Sequence, residues 1–183
     1  MRPLAVAVTG GIGAGKSHAL RAFARRGVPV RSSDETVHRL IAGDPEVRSA
    51  LEERFGTTER ARIAEIVFAD GDELAWLEAL LHPRVRQETL AWRDDLDADV
   101  CVVEVPLLYE TGADAAFDAV VVITAPEEVR AARVSVPLGE RSARLLPDDE
   151  KVRHADFTYV NDGSLDELDA FVGRVLEELR SRL

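Results

Sequence analysis

Cysteine occurs once and lysine twice in this 183-residue chain, and no apolar run approaches the length of a bilayer span. The single thiol, Cys101, excludes an internal disulfide and a thiolate metal cluster. It lies in Val100-Cys101-Val102-Val103, where a thiol reads as a packing group rather than a nucleophile. A spanning helix needs roughly 18 apolar residues. The N-terminal apolar stretch is shorter and ends in glycines, so neither a span nor a secretory signal is expected, and the expected location is cytoplasmic. A basic excess is missing too. The net charge of −11 argues against a general binder of nucleic acid or anionic membrane. Apart from Lys16 and Lys151, every basic side chain that is always charged is an arginine, so an anionic substrate must be held by local cations. No internal repeat or low-complexity tract is present.

What is there describes one globular domain over residues 1–183, with 46% apolar and 31% charged residues. Short apolar runs alternate with helical patterns. Candidate strands are Leu4–Thr9, Val28–Arg31, Val100–Glu104, Asp118–Thr124 and Phe157–Val160. Runs such as Ala119-Val120-Val121-Val122-Ile123 predict strands covered on both faces, as in a parallel sheet of an α/β fold. Gly27 suits a left-handed helix stop. Ser164-Leu165-Asp166-Glu167 has capping-box spacing, followed by Leu168, Val172, Val175, Leu176 and Leu179, which with Leu165 predict a core-facing helix. Between Asp34 and Asp99 there is only helical pattern, broken at Gly43-Asp44-Pro45, Gly56, Gly71 and Pro83, and this predicts a helical subdomain within 44–98. Residues 134–149, with Pro137, Gly139 and Pro147 among arginines, suit a short flap or lid.

The chemistry concentrates in Gly10-Gly11-Ile12-Gly13-Ala14-Gly15-Lys16-Ser17, which fits G-x-x-x-x-G-K-[ST] between a strand and a helix. Glycines let the backbone curl so that its N–H groups face a polyphosphate at a positive helix end. Lys16 reaches the β/γ-phosphates in this pattern, and Ser17 ligates Mg²⁺. Glu104, ending the third strand, is placed to hold a metal-bound water. Position alone leaves Asp34 open between a carboxylate that orients an attacking hydroxyl and a helix N-cap. Glu110 reads as a solvated acid at a helix start. Arg130, Arg133, Arg141 and Arg144 are either phosphate-facing forks or solvated charges. Asn161 either pairs with a base edge or belongs to turn chemistry in Asn161-Asp162-Gly163.

The chain resembles the dephospho-coenzyme A kinases. The matching stretches are Thr9 to Ser17, Ser33-Asp34, Ile66-Val67-Phe68 and Leu80-Leu81-His82-Pro83. They continue with Val105-Pro106-Leu107-Leu108-Tyr109-Glu110, Glu150-Lys151, Ala155-Asp156 and Asn161-Asp162-Gly163. The resemblance implies a P-loop NTPase fold of the nucleoside monophosphate kinase type: a five-stranded parallel sheet, a helical substrate subdomain and a short lid. It implies phosphoryl transfer from ATP, with Mg²⁺, to the ribose 3′-hydroxyl of dephospho-coenzyme A, by a monomer or weak oligomer without nucleic-acid or membrane partners. By the same resemblance Gly11 to Ser17 and Asn161 bind nucleotide, and Asp34, His82, Pro106 and Leu107 bind the acceptor. Asp34, Lys16, Arg133 and Arg141 are catalytic, and Ser17 and Glu104 serve the metal. The chain departs from the family at Ser32, where an Asp is usual, and at Pro137 and Leu145, where Arg and Gln are common. These departures, with a shorter lid, motivate the alternative of a non-catalytic nucleotide- or coenzyme A-binding paralogue. Another small-molecule P-loop kinase is a further alternative.

Overall fold

The computed structural model describes residues 2–134 and 145–183. Pro137, Gly139, Arg141 and Arg144 lie outside the described residues. The chain divides into two compact units, Met1–Ser32 with Arg93–Leu183, and Ser33–Trp92.

The first unit is built on a parallel sheet. Its strands are β1 (Leu4–Thr9), β2 (Val30–Ser32), β3 (Val100–Glu104), β4 (Ala119–Thr124) and β5 (Phe157–Val160), in the order β2-β3-β1-β4-β5. β1 pairs with the full length of β3, from Leu4 opposite Val100 to Val8 opposite Glu104. On its other side Val6 to Thr9 pair with Ala119 to Val122 of β4. Continuous apolar strands fit this arrangement because both faces are covered. On one face Val6, Val8, Val102 and Val121 pack with Ala19, Ala22 and Phe23 of α1 (Lys16–Arg25). Leu168, Val172, Val175, Leu176 and Leu179 of the C-terminal helix, Leu165–Ser181, complete this core. On the other face Ala7, Val120 and Val122 pack with Leu108. Near the start of the strands, carboxylates accept from backbone N–H groups: Asp118 from Ala5 N (2.8 Å), Asp156 from Val120 N (2.8 Å) and Asp99 from Val100 N (2.9 Å). This satisfies donors that parallel pairing leaves open.

Local chemistry fixes the helix ends. Gly27, at φ 77°, follows α1 and donates to Ala24 O. Ser164 and Glu167 form the reciprocal capping box. Leu165 departs from the predicted core stripe: it is the first helical residue and is exposed, because the turn it occupies precedes the packed face. The second strand begins two residues later than expected, at Val30, with Pro29 supplying its carbonyl to Val102 N.

The second unit holds α2 (Ser33–Gly43), α3 (Pro45–Phe55), α4 (Arg60–Ala69) and most of α5 (Gly71–Asp94). Its core is Leu40, Ile41, Val47, Leu51, Ile63, Val67 and Leu81. Asp44 caps α3, accepting from Glu46 N and Val47 N with Pro45 in the first turn, and Gly56 ends it at φ 67°. Pro83 does not break the chain as expected. It lies inside α5, where its missing N–H costs one ladder bond. Burial of Leu81, with Leu77, Leu80 and Val85 packed on the same core, outweighs that loss.

Among the described residues between Arg93 and the C-terminus, the other helices are a 3₁₀ turn at Asp114–Ala116, α6 (Glu127–Arg133) and α7 (Asp148–Arg153), and the capped C-terminal helix is labelled α8.

Candidate active site

Strand β1 ends at Thr9 and the chain curls through the glycine segment into α1 at Lys16. Gly10 has φ 139°, and a Cβ there would overlap the carbonyl oxygen of Ile123 on β4. Only glycine permits that approach. Gly15, at φ 107°, is pressed against the side-chain amide of Asn161 in the same way. The Lys16 ammonium donates to Gly11 O at 3.0 Å, so it curls back over the loop toward its opening residues. Ser17 is exposed on the first turn of α1.

Asn161 follows β5 and is buried, its N–H donating to Thr124 O at 2.7 Å. Its side-chain nitrogen donates to Ala14 O at 2.8 Å. This adds a role that neither sequence reading gave: one amide donor braces the loop. Its Oδ1 is buried and has no hydrogen-bond partner among the described residues. Arg133 reaches Gly13 O at 3.4 Å and Asn161 O at 3.3 Å, long contacts between a guanidinium and two carbonyls of the site.

These residues line one cleft of about 280 Å³: Gly13, Gly15, Lys16, Ser17, Arg133 and Asn161, joined by His18, Arg21 and Leu165. Sequence reasoning brought out the first six and missed the last three. For two of these a signal was available, since His18 and Arg21 are one helical turn apart and lie two and five residues after Lys16. The His18 pKa lies below its ordinary value, first through burial and then through the positive charges of Arg21 and Arg25. The cleft's permanent cations are Lys16, Arg21 and Arg133.

The segment after β3 is fastened to the strand that leads into the loop. Val105 N donates to Val8 O (2.9 Å), and the Thr9 hydroxyl donates to Pro106 O (3.4 Å). Pro106 and Leu107 are thereby held beside the base of the loop, both partly exposed. Glu104, half-buried, pairs in register with Val8 and with Ser32. Glu110 is not the solvated acid expected. Its Oε1 lies 2.9 Å from the fully buried ammonium of Lys151 and accepts from Leu146 N at 2.8 Å.

Asp34 and His82 belong to the helical unit. Asp34 is exposed in the first turn of α2, inside the helix rather than at its cap. His82 is half-buried in α5 beside the buried Leu81. Arg141 lies outside the described residues. Among the described residues no group of three or more His, Cys, Asp or Glu side chains could hold a metal ion. A divalent ion here would need substrate oxygens to complete its shell.

Known proteins match this arrangement along its length. The family model for dephospho-CoA kinase matches residues 4–167. A dephospho-CoA kinase of Mesorhizobium japonicum is 39% identical over 193 aligned positions, covering 98% of each chain. The crystal structure of TT1252 from Thermus thermophilus superposes with a TM-score of 0.83 at 31% identity, covering 98% of this chain and 99% of that one. The dephospho-CoA kinase from Campylobacter jejuni gives 0.72 at 26%, covering 98% of both. A parallel sheet with its glycine loop on the central strand, together with these likenesses, places the chain in the dephospho-CoA kinase family, phosphotransferases that act on an alcohol group.

Proposed function

We propose that this chain transfers the γ-phosphoryl group of ATP to the ribose 3′-hydroxyl of dephospho-coenzyme A, yielding coenzyme A and ADP. One observation carries the reading: a complete phosphate loop, with Lys16 curled over Gly11 and Asn161 bracing Ala14, in a chain of this family. In the reaction the acceptor oxygen bonds to the γ-phosphorus as the bond to the bridging oxygen breaks, and the hydroxyl proton leaves. Asp34 orients that hydroxyl and accepts its proton. Lys16 and the loop N–H groups hold the β- and γ-phosphates and neutralise charge that develops on them. Ser17 and Glu104 are the donors that would hold Mg²⁺, a carboxylate and a hydroxyl beside phosphate oxygens, which suits an ion that keeps much of its water. When bound, that ion polarises the transferring group. Arg133 contributes charge from α6, Asn161 serves the nucleoside side of the cleft, and His82, Pro106 and Leu107 contact the acceptor. Catalysis is positioning and electrostatics, with no covalent enzyme intermediate. The cytoplasm is the compartment we assign.

The test is ADP release measured with dephospho-coenzyme A as acceptor. Wild-type protein should turn over, and Lys16→Ala should lower kcat/KM by roughly 10²–10⁴-fold. Preference for another alcohol, or nucleotide binding without turnover at high protein concentration, would overturn the assignment.

A further inference from the structure

Gly11 has no side chain, and the space where one would stand is occupied. A Cβ built there would lie 2.5 Å from Arg130 Nη1 and 3.2 Å from each carboxylate oxygen of Asp148. The carbonyl of the same glycine receives the Lys16 ammonium at 3.0 Å. Two cations therefore meet one residue of the loop, one at its carbonyl and one at its α-carbon. We propose that Arg130 is a further catalytic residue, whose guanidinium engages the terminal phosphate of the bound triphosphate; this rests on the nucleotide reading above.

Three features support the assignment. The helix that carries Arg130 is seated on the loop: its backbone oxygen and Cα would lie 2.9 and 3.2 Å from a Cβ on Gly13, so the side chain starts from a fixed base. The guanidinium is poorly matched as it stands. Its side chain is only 19% exposed, its Asp148 partner is 3.6 Å away, and Arg130 Nε is buried without a hydrogen-bond partner among the described residues. A buried charged donor left in that condition is costly unless an anion completes it. A phosphate does so bidentately, which an ammonium could not. Finally, position separates Arg130 from Arg133. Arg133 lines the cleft with Asn161 and Gly13, whereas Arg130 stands at Gly11, where Lys16 marks the β/γ-phosphate end.

Calorimetry with Mg²⁺ on the full chain reads this directly, comparing ADP with a non-hydrolysable ATP analogue carrying a β,γ-imido bridge. Arg130→Gln should weaken the triphosphate by roughly 10–100-fold and ADP by less than about threefold, the size of a lost charge-assisted phosphate contact. Arg130→Lys should fall between, keeping the charge but not the fork. Gly11→Ala, whose methyl claims the guanidinium's space, should reproduce the selective loss, and thermal melts identify any variant that does not fold. Equal loss for both nucleotides, or no loss, overturns the proposal. Turnover is a separate readout. A wild type that discriminates triphosphate through Arg130 but makes no coenzyme A supports this inference and refutes the activity. A wild type that makes coenzyme A while Arg130→Gln binds both nucleotides normally does the reverse.

Discussion

Asp34 is an exposed carboxylate in the first turn of α2, where a negative charge is favourable for the helix as well as available for chemistry. The two roles separate on substitution. Asp34→Asn removes a proton acceptor while keeping shape and a helix-compatible polar group. Turnover should fall by about 10²–10⁴-fold, with ATP affinity changed by no more than about threefold. Steady-state kinetics beside nucleotide titration decides it, and parallel loss in both would return Asp34 to a purely local role at the helix start. Single residues of this kind were only half legible in the sequence. Lys16 and Ser17 announce themselves because their pattern is contiguous. Asn161 does not, because its partner, Ala14, is distant in the chain and supplies only a carbonyl.

At the scale of elements, the pair between Glu110 and Lys151 joins the segment after β3 to α7. Lys151 is fully buried, and Glu110 also holds Leu146 N, just before α7. Glu110 Oε2, the Tyr109 hydroxyl and Lys151 Nζ are buried with no hydrogen-bond partner among the described residues, so the cluster is held by the ion pair and is sensitive to the loss of either charge. Lys151→Met should cost about 3–5 kcal/mol in urea unfolding, since it strands a buried carboxylate. Adding Glu110→Gln should recover most of that, because a neutral amide still accepts from Leu146 N. A neutral single substitution would show that the pair does not hold these elements. Sequence reading recovered most of the elements themselves, since strands and helix caps follow from nearest neighbours and periodicity. It misplaced the break at Pro83, where core burial overrides a local signal, and it could not see that Glu110 finds a cation across the fold.

For the whole molecule, alkaline pH is the informative perturbation. Burial pushes the Cys101 thiol up to about 11, with Asp118 adding to this and Arg93 opposing it. Burial, then Asp114 and Asp156, pushes Tyr109 up to about 12. Both groups are neutral acids that ionise more readily when unfolded. Their contribution is therefore fully present below their unfolded values of about 9 and 10, and is lost as pH rises through about 11 and about 12. Denaturant midpoints should decline from about pH 9 upward. With only two lysines, few other side chains titrate there. Cys101→Ala should flatten the slope between about pH 9 and 11, and an unchanged slope would remove the thiol from the effect. The α/β class with a parallel sheet was legible because its strands are uninterrupted apolar runs. The arrangement of cations around the loop was not, because it depends on how α6 and α7 pack.

The glycine loop grows from β1, which is paired on one side to β3 over Leu4 to Val8 and on the other to β4 over Val6 to Thr9. An anchor clamped by two neighbours cannot bend to meet its ligand, so little ordering is left to do when phosphate arrives. The root of the loop is in place beforehand, and contact energy with the phosphates is expressed as affinity instead of being consumed in rearranging that root.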